Sequence, residues 1–174
     1  FPQWLRAGAA VAAIGIASWI AAIQYSSPGA DQLIAEQVIN GHARAVLGSR
    51  LVDVASSDQH IVKPWLSSKL DFSPPATDLT GEGFPLLGGR LDYVNNRPVA
   101  TLVYRHRQHM IDLFIWPDNA SSAATGMRSF SKRGVNIVQW SESGMAFSAV
   151  SDVDTDDLEQ FARGYASAEY GAAR

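Results

Sequence analysis

In the run Gly88-Gly89-Arg90-Leu91-Asp92-Tyr93-Val94-Asn95-Asn96-Arg97-Pro98-Val99-Ala100-Thr101-Leu102-Val103-Tyr104-Arg105-His106-Arg107, two strand-like segments meet across an Asn-Asn pair. Asparagine tolerates the left-handed backbone that a two-residue hairpin turn requires, so residues 88–94 and 98–107 read as a hairpin. Residues 110–116 return after Gln108-His109 and make a second one. Ala100, Leu102 and Tyr104 alternate with their neighbours, as do Ile111, Leu113 and Ile115. That period of two turns one face of the sheet toward a core and leaves the other more polar.

Outward from this pair, residues 135–140 and 145–150 read as a further hairpin around Ser143-Gly144. Asp154-Thr155 then cap a last helix. Asp156, Asp157 and Glu159 stand early in it, where the helix dipole favours negative charge, and Leu158, Phe161, Ala162 and Tyr165 supply an inner side. On the other flank, Asp31 reads as an N-cap, and Ile34, Val38, Gly41 and Ala45 form a helical stripe over residues 31–47. Residues 51–54 read as a short strand. Pro64 suits the first turn of a short helix within residues 57–70, and Ser73-Pro74-Pro75 is a loop. The class expected is α+β, a mostly antiparallel sheet with helices before and after it.

Residues 7–23 carry no charge and are nearly all apolar or small. At the helical rise, residues 7–25 reach about 28 Å, enough to cross the hydrocarbon of a bilayer. Trp4 and Tyr25 stand near the two ends, and Arg6 is a positive charge on the N-terminal flank alone, which predicts a cytoplasmic N-terminus. A cleavable signal peptide is the competing reading. The run exceeds the roughly 7–15 residues of such a segment and ends in Ile23-Gln24-Tyr25 rather than a small-x-small site. A buried core helix fits less well, because the segment is apolar all round and is followed by Pro28-Gly29. The organisation expected is therefore a single-pass inner-membrane anchor over residues 1–27 and a periplasmic α+β domain over residues 28–174. The first residue, Phe1, is not methionine, so further residues are expected upstream.

Of the 174 residues, 47% are apolar and 18% charged, a balance that argues for a packed domain rather than disorder. A formal charge of -3 with both signs scattered provides no basic surface for nucleic acid. There is no cysteine, so disulfides and thiolate metal sites are excluded from these residues. His60 and Asp58 with His106 or His109 form the nearest approach to a metal set. The arginines Arg105 and Arg107 beside that turn oppose a cation, and no metal or other cofactor is expected. Ser129-Phe130-Ser131-Lys132 has the Ser-x-x-Lys spacing without its companion motifs, and no nucleophile elbow or phosphate loop occurs. No catalytic residue is assigned. Asn119-Ala120-Ser121 marks a surface loop.

The segment from Ser57-Asp58-Gln59-His60 through Lys63-Pro64-Trp65 to Asp71-Phe72-Ser73-Pro74-Pro75 joins polar groups to two aromatics. It reads either as a partner-binding surface built on Asp58, His60, Lys63, Trp65 and Phe72, or as an ordered loop whose aromatics plug the core. Here the sequence resembles the extracytoplasmic part of proteobacterial transmembrane anti-sigma factors. Residues 58–65, 70–75 and 83–93 carry the resemblance, with Tyr104-Arg105-His106-Arg107-Gln108-His109 and Phe114-Ile115-Trp116-Pro117 following in order. The resemblance implies one membrane helix before a sensory periplasmic domain, with a protein partner in the membrane or periplasm. It also implies a sigma factor held only through a cytoplasmic domain, often a His/Cys zinc-binding unit, that these residues do not include. The alternative reading is a non-catalytic anchoring or assembly subunit of a membrane complex such as a respiratory dehydrogenase.

Overall fold

Four tight turns organise the sheet, and in each a side chain other than glycine accepts a left-handed backbone. Asn95 and Asn96 have φ of 50° and 60°, Arg107 has 55°, Arg133-Gly134 have 54° and 81°, and Ser143-Gly144 have 52° and 75°. In three of the four turns φ is positive at both central positions, which matches the twist of the flanking strands, and in the Arg107-Gln108 turn it is positive at Arg107 alone. In the computed structural model, which describes residues 29–118 and 125–171, these turns join β2 (Leu86–Val94), β3 (Arg97–His106) and β4 (His109–Pro117) into one meander. They join β5 (Thr125–Lys132), β6 (Val135–Glu142) and β7 (Met145–Ser151) into a second.

The last strands of the two meanders pair with each other, Asp112 opposite Val150 and Phe114 opposite Ser148. With the two-residue β1 (Val54–Ala55) on the far side of β2, the order is β1-β2-β3-β4-β7-β6-β5, antiparallel throughout. Helices α1 (Ala30–Leu47), α2 (Gln59–Ser67) and α3 (Thr155–Tyr170) flank it. The α+β class with a mostly antiparallel sheet is what the sequence predicted. The described residues from Ile34 onward form one compact unit. The membrane anchor expected over residues 1–27 lies outside the described residues, among which no helix is long and apolar enough to cross a membrane.

The two sheet faces differ in chemistry. One carries Leu102, Tyr104, Ile111, Leu113, Ile115, Val138, Trp140, Phe147 and Ala149, and packs with Val62 and Leu66 of α2 and with Leu158, Phe161, Ala162 and Tyr165 of α3. Phe161 sits edge-on to Tyr104 at 4.9 Å between ring centroids, and Trp140 stacks on Phe147 at the same distance, arrangements that add to plain burial. The opposite face is covered by α1 and is more mixed. Ala35, Val38 and Ile39 meet Val94, Val99, Phe114, Ile137 and Val150, while Arg90, Thr101, Asp112 and Ser148 are buried among the polar groups.

Three local expectations change. The helix around Pro64 begins earlier than expected, at Gln59, because Asp58 caps it by accepting the His60 N–H at 2.8 Å. Pro64 is therefore inside the helix and denies the His60 carbonyl its i+4 donor, and α2 ends three residues later. Of the strand expected over residues 51–54, only Val54 belongs to the observed one, which runs on to Ala55 and pairs with β2. Strand β5 lacks a sequence signal: in Thr-Gly-Met-Arg-Ser-Phe-Ser-Lys only Met127 and Phe130 are large and apolar, as suits an outer strand with one neighbour.

Candidate functional site

The five residues singled out in sequence fall on α2 and the loop that follows it. Asp58 and His60 are exposed, with Asp58 engaged as the helix cap. Lys63 is half-buried. Val62 and Leu66, one turn apart, are fully buried against the sheet, and Gly89 lies beneath them so closely that a Cβ there would sit 2.9 Å from Val62 Cγ1. Trp65 and Phe72 are half-buried, each with one side packed on the apolar core. The structure thus gives both aromatics a core-packing role while leaving part of each accessible.

Sequence reasoning passed over Ile61. It precedes Trp65 by one helical turn, so the two share a face of α2, and Ile61 is 54% exposed. A β-branched apolar side chain that open, beside a half-buried tryptophan, makes an apolar spot on this face of α2, while Lys63, two residues on, stands on another face. Phe72 adds a second opening. It lines a cleft of about 230 Å³ together with Asp71, Asn95, Arg97, Trp116 and Asp118. That volume is below the range of roughly 300–1,000 Å³ common for small-molecule sites and suits one or two side chains of a partner.

The histidines do not converge. His106 stacks on Phe84 with ring centroids 4.7 Å apart, places Nδ1 3.2 Å from the Gly83 carbonyl and Nε2 3.4 Å from Asp157 Oδ2. His109 meets Asp152 at 2.9 Å. Among the described residues no group of three His, Asp or Glu side chains is assembled to hold a metal. The depression at the start of α3, lined by Arg107, Asp154, Thr155, Asp156 and Asp157, is acidic, which opposes the anion that a helix N-terminus would otherwise attract.

His42 joins a different constellation. Its Nδ1 lies 3.0 Å from Asp112 Oδ2, and the same oxygen accepts from Arg90 Nη2 at 2.8 Å. Arg90 Nε donates to Asp92 Oδ2 at 2.8 Å and Nη1 to the Leu51 carbonyl at 2.7 Å. His42, Arg90 and Asp112 are 6%, 4% and 1% exposed. Burial opposes the Arg90 charge, but Asp112 and Asp92 outweigh it and hold the guanidinium above its usual range. The only hint in sequence was a charged residue at each of positions 90, 92 and 112 inside strands, where polar residues were expected to face solvent.

No family model, no curated protein and no solved structure matches this chain.

Proposed function

We propose that this chain is a membrane-anchored regulatory protein, similar to transmembrane anti-sigma factors, whose α+β domain binds a protein partner on the periplasmic side. The binding surface is α2 and the loop after it: Asp58, His60, Ile61, Lys63, Trp65 and Phe72. The observation that carries this reading is the exposed Ile61 one turn from Trp65, on a helix whose adjacent side is anchored by Val62 and Leu66. Such an arrangement supplies a rigid aromatic anchor with an apolar neighbour and a polar rim, the features that dominate protein interfaces. The uncharged run over residues 7–23 supports the membrane attachment.

A photo-crosslinking residue placed at position 61 of the full chain in native membranes tests the surface. One discrete partner adduct is expected, weakened by Trp65→Ala and absent when the probe is moved to Gln108 at the far hairpin. Equal adducts from both positions would remove α2 from the role. Protease added to intact spheroplasts should digest the domain after Ser26, and protection there would overturn the orientation.

A further inference from the structure

The two faces of the sheet are held by different kinds of contact. Beneath α2 and α3 the contacts are large and apolar. Beneath α1 a separate and smaller apolar cluster sets Ala35, Val38 and Ile39 against Val94, Val99, Phe114, Ile137 and Val150, and Gly41 is packed so closely that a Cβ would lie 3.1 Å from Phe114 Cζ. The rest of the attachment is polar along the helix. Glu36 bridges Lys132 at 2.7 Å and Arg133 at 2.8 Å. Gln37 exchanges two hydrogen bonds with Asn95, its Nε2 donating to Asn95 Oδ1 at 3.1 Å and its Oε1 accepting from Asn95 N at 2.5 Å. His42 meets Asp112, and Arg44 stands 3.9 Å from Asp92.

We propose that α1 is a releasable strap: it detaches from the sheet as a unit while the sheet, α2 and α3 stay folded. Three properties favour this. Every polar contact of α1 named above ends on the sheet or its turns, so the helix has a set of latches that open together. The groups it covers, Arg90, Asp92 and Asp112, remain paired with one another through Arg90 when α1 leaves, and they regain water. The sheet keeps its larger apolar core, because that core lies on the other face, and only the smaller cluster around Phe114 and Ile137 is exposed. The released state opens the mixed sheet face, its charged groups together with Val99, Phe114, Ile137 and Val150, and the seated state closes it. This proposal is independent of the partner surface on α2.

Hydrogen–deuterium exchange of the full 174-residue chain tests it. Amides of residues 34–47 are expected to exchange together and well before those of β3, β4 and α3, as a separate cooperative unit does. Added salt should speed the α1 amides selectively, because the Glu36 and Arg44 contacts are solvent-accessible and screened. The variants Glu36→Gln and His42→Ala should each raise the exchange of α1 by roughly tenfold while β3 and β4 keep wild-type protection. Glu36 lies at the surface, so its variant reports even if His42→Ala fails to fold. Exchange of α1 in step with β3 and β4, or acceleration of all elements alike by Glu36→Gln, would overturn the strap and make α1 an inseparable part of the core.

Discussion

His42 and Asp112 face each other at 3.0 Å between α1 and β4, almost fully out of water, and Arg90 completes the contact from β2. Ion pairs so placed are costly to break by halves. Asp112→Ala should destabilise the fold by about 3–5 kcal/mol, because Arg90 is left buried with one carboxylate instead of two. Replacing His42, Arg90 and Asp112 together by apolar residues of similar volume should be close to neutral. Urea unfolding of the single and triple variants measures both.

Two buried tyrosines predict alkaline unfolding. Tyr104 donates to the Thr77 carbonyl at 2.7 Å and Tyr165 to the Pro75 carbonyl at 2.8 Å, pinning the loop before β2. Burial pushes both phenols well above the usual tyrosine range. The folded state therefore retains protons that the unfolded chain releases, so their contribution is fully present below about pH 10 and is lost as pH rises beyond it. Tyr104→Phe and Tyr165→Phe should each flatten the fall of stability above pH 10, read from denaturation at a series of alkaline pH values. An unchanged slope would refute the assignment.

At the acid end, the hydrogen bond from Lys132, opposed by burial and aided by Arg133, holds the Glu36 carboxyl below its ordinary value. Its contribution is present above the ordinary carboxylate range and is lost as pH falls through the folded-state value. Glu36→Gln should remove part of the acid dependence of the melting temperature and leave the alkaline limb untouched.

Glycines in two settings should respond in opposite ways. Gly88 has φ of 153° at the irregularity between β2 and β3, and a Cβ there would lie 2.1 Å from the Val54 carbonyl oxygen. Gly88→Ala should disrupt the β1–β2 pairing and cost about 2 kcal/mol or more, since neither backbone can give way. At Gly164 in α3 a Cβ meets only the end of the exposed Glu82 side chain, which can swing aside. Gly164→Ala should stabilise by up to about 1 kcal/mol through helix propensity. Thermal melts of the two variants should move in opposite directions.

Trp65 separates structure from surface. With one side packed on the core, Trp65→Ala should lower stability by about 2 kcal/mol, less than loss of a fully buried tryptophan. Ile61→Asp, on the open side of the same helix, should shift stability by no more than about 0.5 kcal/mol. A large loss of stability on Ile61→Asp, read by thermal denaturation, would show that this face is not open.

What the sequence determined by itself was local. Alternation in β3 and β4, the Asn95-Asn96 and Ser143-Gly144 turns, and the stripes of α1 and α3 follow from side-chain period and backbone tolerance, which act over a few residues. The tertiary structure alone decided how the two meanders joined. Pairing β4 with β7 depends on contacts between residues some 38 apart, such as Asp112 and Val150, and no local period encodes it. It also decided which polar residues were interior. Arg90, Asp92 and Asp112 occupy the polar positions of ordinary half-exposed strands, and only the arrival of α1 over that face removes their water and joins them to His42. Strand β5 is the converse case, since a polar segment becomes a strand only when β6 offers it an edge.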